Sequence, residues 1–288
     1  MNFNRHAISY LKNWKISKNR KPLILRGARQ VGKTTLIKEF AKSYKHNIFL
    51  NLEKPADAAI FKTYNDVATL VEVLFLSNNI SSKEQRNTLL FIDEIQELPK
   101  AIQLLRYFFE EFPDLNVIAA GSLLEFAMKD VESFPVGRIE YLYLYPLNFQ
   151  EYLEAIQHTA ALEQLNTIPV KPVAHKVLLD LFQRYAIVGG MPEIVKTDIE
   201  NNNLAELPKV YESIWGTYKN DVEKYASGAS ERRVVKHIMD TAHLYIDQRI
   251  KFQNFGNSNY RSREVGEAMR NLDAAKIIQL IYPTTDIE

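Results

Sequence analysis

The residues most suited to chemistry begin with the eight-residue stretch from Gly27 to Thr34, which reads Gly-Ala-Arg-Gln-Val-Gly-Lys-Thr. It matches the phosphate-binding template G-x-x-x-x-G-K-[ST] at every fixed position. Backbone N–H groups of such a loop point at phosphate oxygens, and the helix that follows adds its positive N-terminal end. Lys33 would reach the outer phosphates, and the Thr34 hydroxyl would take one position on a magnesium ion. The candidate phosphate-binding residues are Gly27, Ala28, Arg29, Gln30, Val31, Gly32, Lys33, Thr34 and Thr35.

A second candidate group is a pair of neighbouring carboxylates, Asp93 and Glu94, which follow an apolar run at 89–92. Such a run is typical of a strand buried on both faces of a parallel sheet, where ligands bind beyond the carboxyl ends of the strands. Side chains alternate along a strand, so the two acids can have different roles. Asp93 is the candidate that holds magnesium, and Glu94 the candidate that orients and polarises an attacking water. The alternative is a plain acidic strand end.

Two further candidates accompany later strands. Ser122 follows the apolar run 116–120, and its hydroxyl is a candidate sensor of the γ-phosphate or of the water. It is equally suited to be the N-cap of a helix over 123–128. Arg138 precedes an alternating segment at 139–145 and could neutralise phosphate charge in its own or in a neighbouring subunit. The alternative for Arg138 is an exposed loop cation, and the motif rules do not decide between the two.

The elements that must position these residues alternate between strand and helix, which is typical of an α/β protein with a parallel sheet. Strands are predicted at 23–26, 47–53, 88–92, 116–120 and 139–145. Helices are predicted at 34–44, 67–76 and 99–112. Residues 2–21 are amphipathic, and we favour a helix face packed on the domain over a cap on the nucleotide base.

The C-terminal half is predicted to be helical, with a linker at 160–172. Helices are predicted at 149–153, 175–187, 204–224 (interrupted near Pro208), 231–248 and 262–275. A strand is predicted at 277–282, and helix, turn, helix and edge strand is the order of a winged helix. Residues 249–276 contain six basic and three acidic residues, so DNA binding is one interpretation and protein packing is the slightly favoured one.

The composition restricts the class of protein. The chain has 288 residues, of which 46% are hydrophobic and 25% charged, which predicts a globular protein of roughly two domains. Its net charge of +1 gives no overall attraction to nucleic acid or anionic membranes. The absence of cysteine excludes disulfides and thiol nucleophiles. The sequence contains neither a secretory pattern nor a long apolar run, so we expect a cytoplasmic protein without a membrane partner.

Five motifs, in this order, resemble the bacterial and archaeal AAA-type ATPases that carry a DUF4143 region. They lie at 27–34, 90–96, 121–122, 137–147 and 189–193. The resemblance implies an AAA+-like (ASCE) P-loop NTPase sheet in an αβα sandwich, followed by a helical lid and a winged-helix-like region. Full-length members of that family carry a C-terminal nuclease-like domain, and we expect these 288 residues to be truncated before it.

The resemblance also implies roles for individual residues. Lys33 and Thr34 resemble the Walker A pair, and Asp93 and Glu94 the Walker B pair. The resemblance also implies roles for four further positions: Ser122 as a sensor in place of the common asparagine, Arg138 as an arginine finger, Pro192 as a lid proline on the adenine, and Asn51 as a polar switch for Glu94.

The resulting hypothesis is an ATPase that uses ATP and Mg²⁺, with Glu94, Lys33, Arg138 and Ser122 in catalysis. Its expected domains are a P-loop core at 1–155, a helical lid at 156–228 and a winged-helix-like region at 229–288. ATP and ADP are the expected partners, with a homo-oligomer and DNA as further possibilities. The alternatives are a slow nucleotide-gated switch and a DNA-binding regulator.

Overall fold

The computed structural model describes residues 2–122, 135, 137–225 and 228–283. A five-stranded sheet with the strand order β2-β3-β4-β1-β5 lies at its centre, and all neighbouring strands are parallel. The strands are β1 Leu23–Arg26, β2 His46–Asn51, β3 Thr88–Asp93, β4 Asn116–Ala120 and β5 Glu140–Tyr143. Every residue of β3 and β4 is buried, as expected for central strands with helices on both faces.

The described residues before β5 form five α-helices that accompany the sheet. They are α1 Ala7–Ile16, α2 Lys33–Ala41, α3 Pro55–Thr63, α4 Val67–Ser77 and α5 Pro99–Glu111. Alternate strand residues face opposite layers: Leu89 and Phe91 pack in the cluster that contains α2, whereas Leu90 and Ile92 pack in the cluster that contains α4 and α5. The sheet is thus covered on both faces, as the sequence predicted.

The C-terminal half is helical. Its helices are α6 Phe149–Ala155, α7 Thr159–Leu165, α8 Pro172–Val188, α9 Pro192–Asn201, α10 Leu207–Tyr225, α11 Ala229–Thr241 and α12 Ser262–Ala274. The apolar cluster that contains α2 continues into these helices through Val188, Ile194, Ile214, Val235 and Leu272. One face of the sheet therefore shares its core with the C-terminal helices.

Several element boundaries differ from the sequence-based expectation. Helix α3 is absent from the predicted elements; it begins at Pro55, and proline is favoured in the first turn of a helix. Pro208 likewise lies in the first turn of α10 rather than interrupting a longer helix. The predicted linker at 160–172 is partly helical, since α7 continues to Leu165 and α8 begins at Pro172.

The strand predicted at 277–282 is wrong, and the winged-helix interpretation loses its edge strand. Helix α12 ends in a Schellman motif, in which Lys276 has φ +61° and Ile277 N–H donates to Leu272 O at 3.0 Å. The chain then turns back, and Ile278 and Leu280 pack on the core. This apolar segment covers helices instead of pairing with a strand.

The N-terminal segment forms helix α1, whose Leu11 and Trp14 are buried against the domain. This confirms that α1 packs on the domain, whereas residues 2–5, which precede the helix, line the cavity described below. In the ranges 2–122, 137–225 and 228–283, no helix is long and apolar enough to cross a membrane.

Candidate functional site

The phosphate loop connects β1 to α2 and has a backbone conformation that requires glycine at two places. Gly27 has φ +147°, and a Cβ atom there would lie 2.2 Å from Leu144 O. Gly32, at the start of α2, has φ +93°. Since most side chains are excluded from these conformations, the two template glycines are explained by sterics. The loop leaves the backbone N–H groups near the start of α2 available for an anion.

Lys33 is buried at the centre of the loop. Its Nζ donates hydrogen bonds of 2.9 Å to the carbonyl oxygens of Gly27 and Ala28. Burial lowers the pKa of Lys33 to about 8, although the charges of Glu94 and Asp93 oppose the shift. The ammonium therefore has little solvation of its own, and phosphate oxygens would offer it stronger acceptors than two neutral carbonyls.

Thr34 connects the loop to the acidic strand. Its Oγ1 donates a hydrogen bond of 2.7 Å to Asp93 Oδ2. Burial raises the pKa of Asp93, and the hydrogen bond from Thr34 opposes that shift. A hydroxyl and a carboxylate oxygen at this separation form an oxygen donor pair suited to Mg²⁺, which keeps waters and phosphate oxygens as its other ligands.

Glu94 lies directly beyond β3 and has the left-handed conformation, with φ +52°, which is uncommon for a residue other than glycine. Its backbone N–H donates to Asp93 Oδ1 at 3.1 Å, and its Oε2 accepts a hydrogen bond of 2.6 Å from Gln96 Nε2. Gln96 is buried, and its Oε1 has no hydrogen-bond partner among the described residues. The backbone turn and Gln96 together fix the orientation of the Glu94 carboxylate.

Gln96 was missed in the sequence analysis, and Asn51 was assigned the restraining role instead. Asn51 does pair with Asp93 in the β2–β3 register. Its side-chain oxygen, however, accepts a hydrogen bond from the backbone N–H of Glu53 at 2.9 Å, as asparagine commonly does in turns. The described contact to Glu94 comes from Gln96.

Ser122 is buried and follows β4. Because β4 lies between β1 and β3 in the sheet, Ser122 ends the strand that separates the phosphate loop from Asp93. The structure thus places Ser122 at the expected edge of the sheet. The helix predicted at 123–128 lies outside the described residues.

Arg138 is not brought to the phosphate loop. It precedes β5 by two residues, and Glu140 of β5 pairs with Leu23, the first residue of β1. Arg138 therefore lies at the amino ends of the strands, whereas Gly27 follows the carboxyl end of β1. The two ends are roughly 13 Å apart along a four-residue strand. Its Nε donates to Glu110 Oε1 at 3.0 Å. A role for Arg138 in the site of its own subunit is contradicted by this position.

A cavity of about 660 Å³ opens beside the loop. Its lining comes from the N-terminal segment, the start of α2 and the start of α9, and includes Phe3, Arg5, Gly32, Thr35 and Pro192. A Cβ atom at Gly32 would lie 3.9 Å from Pro192 Cγ. Pro192 is thus adjacent to the phosphate loop, on a different helix.

Arg5 is a buried residue of this region that the sequence analysis missed. Its guanidinium donates to Val31 O at 2.9 Å, to Tyr145 O and to Glu151 Oε1 at 3.2 Å. These contacts join the N-terminal segment to the loop, to the segment after β5 and to α6. No sequence pattern indicated them, because the partners lie far apart in the chain.

Arg29 of the loop contacts helix α10. Its guanidinium forms an ion pair with Asp221, and Tyr218 Oη donates a hydrogen bond of 2.7 Å to Arg29 O. Glu53 lies 3.7 Å from the same guanidinium. The C-terminal helices therefore touch the phosphate loop itself.

Comparison with known protein families gives two matches. Residues 19–153 match an AAA domain, AAA_14, and residues 179–287 match a domain of unknown function, DUF8612. The C-terminal match therefore differs from the DUF4143 region that the resemblance implied. No curated protein matches the sequence.

Among solved structures, the Walker-type ATPase PABY2304 of Pyrococcus abyssi is similar to this chain with a TM-score of 0.56 and 15% identity, over 94% of this chain and 89% of that one. The RuvB Holliday junction branch migration motor of Thermotoga maritima has a TM-score of 0.40 and 16% identity, over 95% and 88%. The ORC1 protein of Aeropyrum pernix in complex with DNA has a TM-score of 0.40 and 16% identity, over 97% and 86%.

At these identities the structural likeness concerns the fold, which is that of a P-loop NTPase followed by a helical C-terminal region. The strand order, the loop geometry and the AAA domain match agree with one another. Together they show that residues 19–153 are similar to an AAA domain and have the fold of a P-loop NTPase.

Proposed function

We propose that this chain binds Mg-ATP on the loop from Gly27 to Thr34 and hydrolyses its terminal phosphate bond. The observation that carries the proposal is the hydrogen bond of 2.7 Å from Thr34 to Asp93, which joins the phosphate loop to the end of β3. It brings a buried lysine, a candidate metal site and Glu94 to one edge of the sheet. Phosphoryl transfer needs mainly positioning and charge neutralisation, which these groups supply.

Each residue has a distinct part in this proposal. The Lys33 ammonium gives up its hydrogen bonds to two backbone carbonyl oxygens and donates to phosphate oxygens instead. Thr34 and Asp93 hold Mg²⁺, which when bound neutralises charge on the phosphates. Glu94, fixed by Gln96, orients the attacking water and accepts its proton. Ser122, at the end of β4, contacts the γ-phosphate or the water.

The nucleoside of ATP occupies the cavity between the N-terminal segment and α9. Its lining by Phe3 and Pro192 suits a planar base, and its continuity with Gly32 and Thr35 suits a ligand whose phosphates lie on the loop. We propose that residues 1–155 form the ATPase core and that residues 156–228 form a lid over the cavity. Residues 229–288 then change position with the bound nucleotide by way of that lid.

The proposal is tested by ATP affinity and phosphate release in magnesium buffer. We expect Lys33→Ala to weaken ATP binding at least about tenfold, and Glu94→Gln to bind ATP normally while turnover falls by about a hundredfold or more. Lys38→Ala is the matched control, since Lys38 is an exposed lysine of the same helix. Unchanged ATP binding in Lys33→Ala contradicts the site, and full turnover in Glu94→Gln contradicts the role of Glu94.

The main alternative is a slow nucleotide-gated switch, in which ATP or ADP sets the positions of the C-terminal helices and turnover is incidental. Measuring the turnover of the parent and its mass in the same ATP buffer separates the two, because a motor is expected to assemble or to turn over rapidly. Duplex DNA is added in a parallel arm. Stimulated turnover or salt-sensitive binding would support a DNA partner, and no binding at low salt would remove it.

A further inference from the structure

The phosphate loop carries a cation that the roles proposed above do not use, the guanidinium of Arg29. Its side chain is 35% exposed and is paired with Asp221, whose side chain is 9% exposed. Tyr218 lies one turn earlier on α10 and donates to the backbone oxygen of Arg29. Helix α10 thus contacts both the side chain and the backbone of one loop residue.

The guanidinium of Arg29 lies 3.7 Å from Glu53, which follows the carboxyl end of β2, so it lies at the end of the sheet that carries the phosphate loop. Partial burial lowers the pKa of Arg29, but Asp221, Glu94 and Glu53 together outweigh that effect and raise it. The positive charge of Arg29 in turn lowers the pKa of Lys33. Arg29 is therefore within electrostatic range of both Lys33 and Glu94, the two residues expected to face the terminal phosphate.

A third phosphate would change the balance around Arg29. Guanidinium groups bind carboxylates and phosphates with the same planar pair of donors, so Asp221 and a terminal phosphate are competing acceptors. A phosphate would also repel the Asp221 carboxylate, and this repulsion is weakly screened because Asp221 is buried. ADP, which lacks the terminal phosphate, would leave the pair largely undisturbed.

We propose that Arg29 is a further ligand of the terminal phosphate and that Asp221 of α10 competes with that phosphate for it. The inference rests on the proposed ATP site. When ATP is bound, Arg29 turns from Asp221 to the phosphate, and α10 loses its ionic contact with the loop. When ADP is bound, the ion pair persists. Helix α10 therefore distinguishes the triphosphate from the diphosphate. By linkage, the release of α10 from Arg29 strengthens ATP binding by the same factor by which ATP favours that release.

Two substitutions test the competition through the ratio of ATP to ADP affinity. Asp221→Asn removes the competitor, so we expect a non-hydrolysable ATP analogue to bind about fivefold more tightly while ADP affinity changes less than about twofold. Arg29→Gln removes the ligand, so we expect the analogue to bind about tenfold more weakly with a much smaller effect on ADP. A residue with a purely structural role would shift both nucleotides equally.

The matched control is another ion pair of the same helix. Lys219 of α10 pairs with Asp240 of α11, outside the candidate site. Asp240→Asn makes the same chemical change as Asp221→Asn, also at a carboxylate that holds a cation. We expect its affinities for the analogue and for ADP to equal those of the parent.

Hydrogen exchange of the backbone amides at 212–221 gives a second measurement that does not depend on turnover. In the parent, we expect faster exchange with the ATP analogue than with ADP, because α10 loses its contact with the loop. In Asp221→Asn and in Arg29→Gln, exchange should be the same with both nucleotides. In Asp240→Asn, the difference should persist.

The inference is overturned if Asp221→Asn leaves the ATP-to-ADP affinity ratio at the parental value, or if parental α10 exchanges equally with both nucleotides. Lys33→Ala identifies which proposal has failed. If the parent binds the analogue no better than Lys33→Ala, the ATP site itself is wrong and this inference falls with it. If binding depends on Lys33 but is insensitive to Asp221, the ATP site stands and only the competition is rejected.

Discussion

The side-chain amide of Gln96 donates a hydrogen bond of 2.6 Å to Glu94 Oε2, so one carboxylate oxygen is fixed, and we expect the other to accept a hydrogen bond from the attacking water. Gln96→Ala would allow Glu94 to sample other rotamers. We expect kcat to fall about tenfold while the dissociation constant of ATP stays within about twofold of the parent, since positioned general bases typically contribute at least this much. Steady-state kinetics combined with equilibrium binding checks the prediction. A matching loss of ATP affinity would instead indicate a damaged loop.

Gly27 is expected to tolerate no side chain. A Cβ atom at this position would lie 2.2 Å from a backbone oxygen, and the φ of +147° is strained for any other residue. We expect Gly27→Ala to lower the free energy of unfolding by about 2 kcal/mol or more and to abolish ATP binding.

The control for Gly27 is Gly216, which lies within α10, where a Cβ atom would meet nothing within 4 Å. Because glycine is unfavourable inside helices, Gly216→Ala should raise the free energy of unfolding by about 0.5 to 1 kcal/mol. Urea unfolding of both variants provides the measurement. Equal effects at the two positions would contradict the steric explanation.

We expect Arg138 to act on the phosphate of a neighbouring subunit, because it lies at the opposite end of its own sheet from the phosphate loop. Arg138→Ala should then bind ATP normally, and its turnover should fall about tenfold or more at concentrations where the parent is assembled. Arg106→Ala is a close control, since Arg106 and Arg138 both donate to Glu110 Oε1 at 3.0 Å.

Mixing subunits tests the same point directly. Glu94→Gln subunits supply an intact Arg138, and Arg138→Ala subunits supply an intact Glu94, so a mixed assembly should recover part of the turnover. No recovery in a mixture shown by mass to be co-assembled would leave Arg138 as a surface cation paired with Glu110.

ATP affinity should depend on pH through Lys33. Its pKa is about 8 in the free chain because burial lowers it, and bound phosphates favour the charged form and raise the pKa. Affinity should therefore be level below about pH 8 and fall as the pH rises above it, by up to about tenfold per unit. Titration calorimetry in buffers of different ionisation enthalpy should detect the proton taken up. Lys33→Met should bind weakly and without this slope.

The same pKa has the opposite consequence for the stability of the nucleotide-free chain. The folded-state pKa of about 8 lies below the ordinary lysine value of 10.5, so the unfolded chain binds more protons between these values. The contribution of Lys33 to the free energy of unfolding should therefore increase as the pH rises from about 8 to 10.5. A difference between the parent and Lys33→Met in denaturant titrations isolates this contribution.

The phosphate loop and the acid pair could be predicted from the sequence because their positions depend on local order. A buried strand, two glycines and a helix follow one another without interruption, and the apolar run of β3 leads directly into Asp93. The sheet order could not be obtained in this way. Because β4 lies between β1 and β3, Ser122 follows the strand that separates the phosphate loop from the acid pair.

The contacts of Arg5 and Arg29 could not be predicted because they join distant segments. Arg5 lies 146 residues from Glu151, and Arg29 lies 192 residues from Asp221. Neither hydrophobic periodicity nor a sequence motif indicates pairs of residues so far apart in the chain. The opposite error occurred near Ile277, where an apolar run was interpreted as a strand although it packs over helices. An apolar run is expected both for a segment buried against helices and for a strand paired in a sheet, and a single sequence does not distinguish the two.

The apolar cluster that runs from the α2 face of the sheet to Leu272 has a consequence for cooperativity. Because Val188, Ile214 and Val235 share one core with Leu25 of β1, the C-terminal helices cannot separate from the sheet without exposing that face to water. Heating should therefore melt both halves in a single transition. A ligand that binds the phosphate loop would raise the midpoint of this transition for the whole molecule.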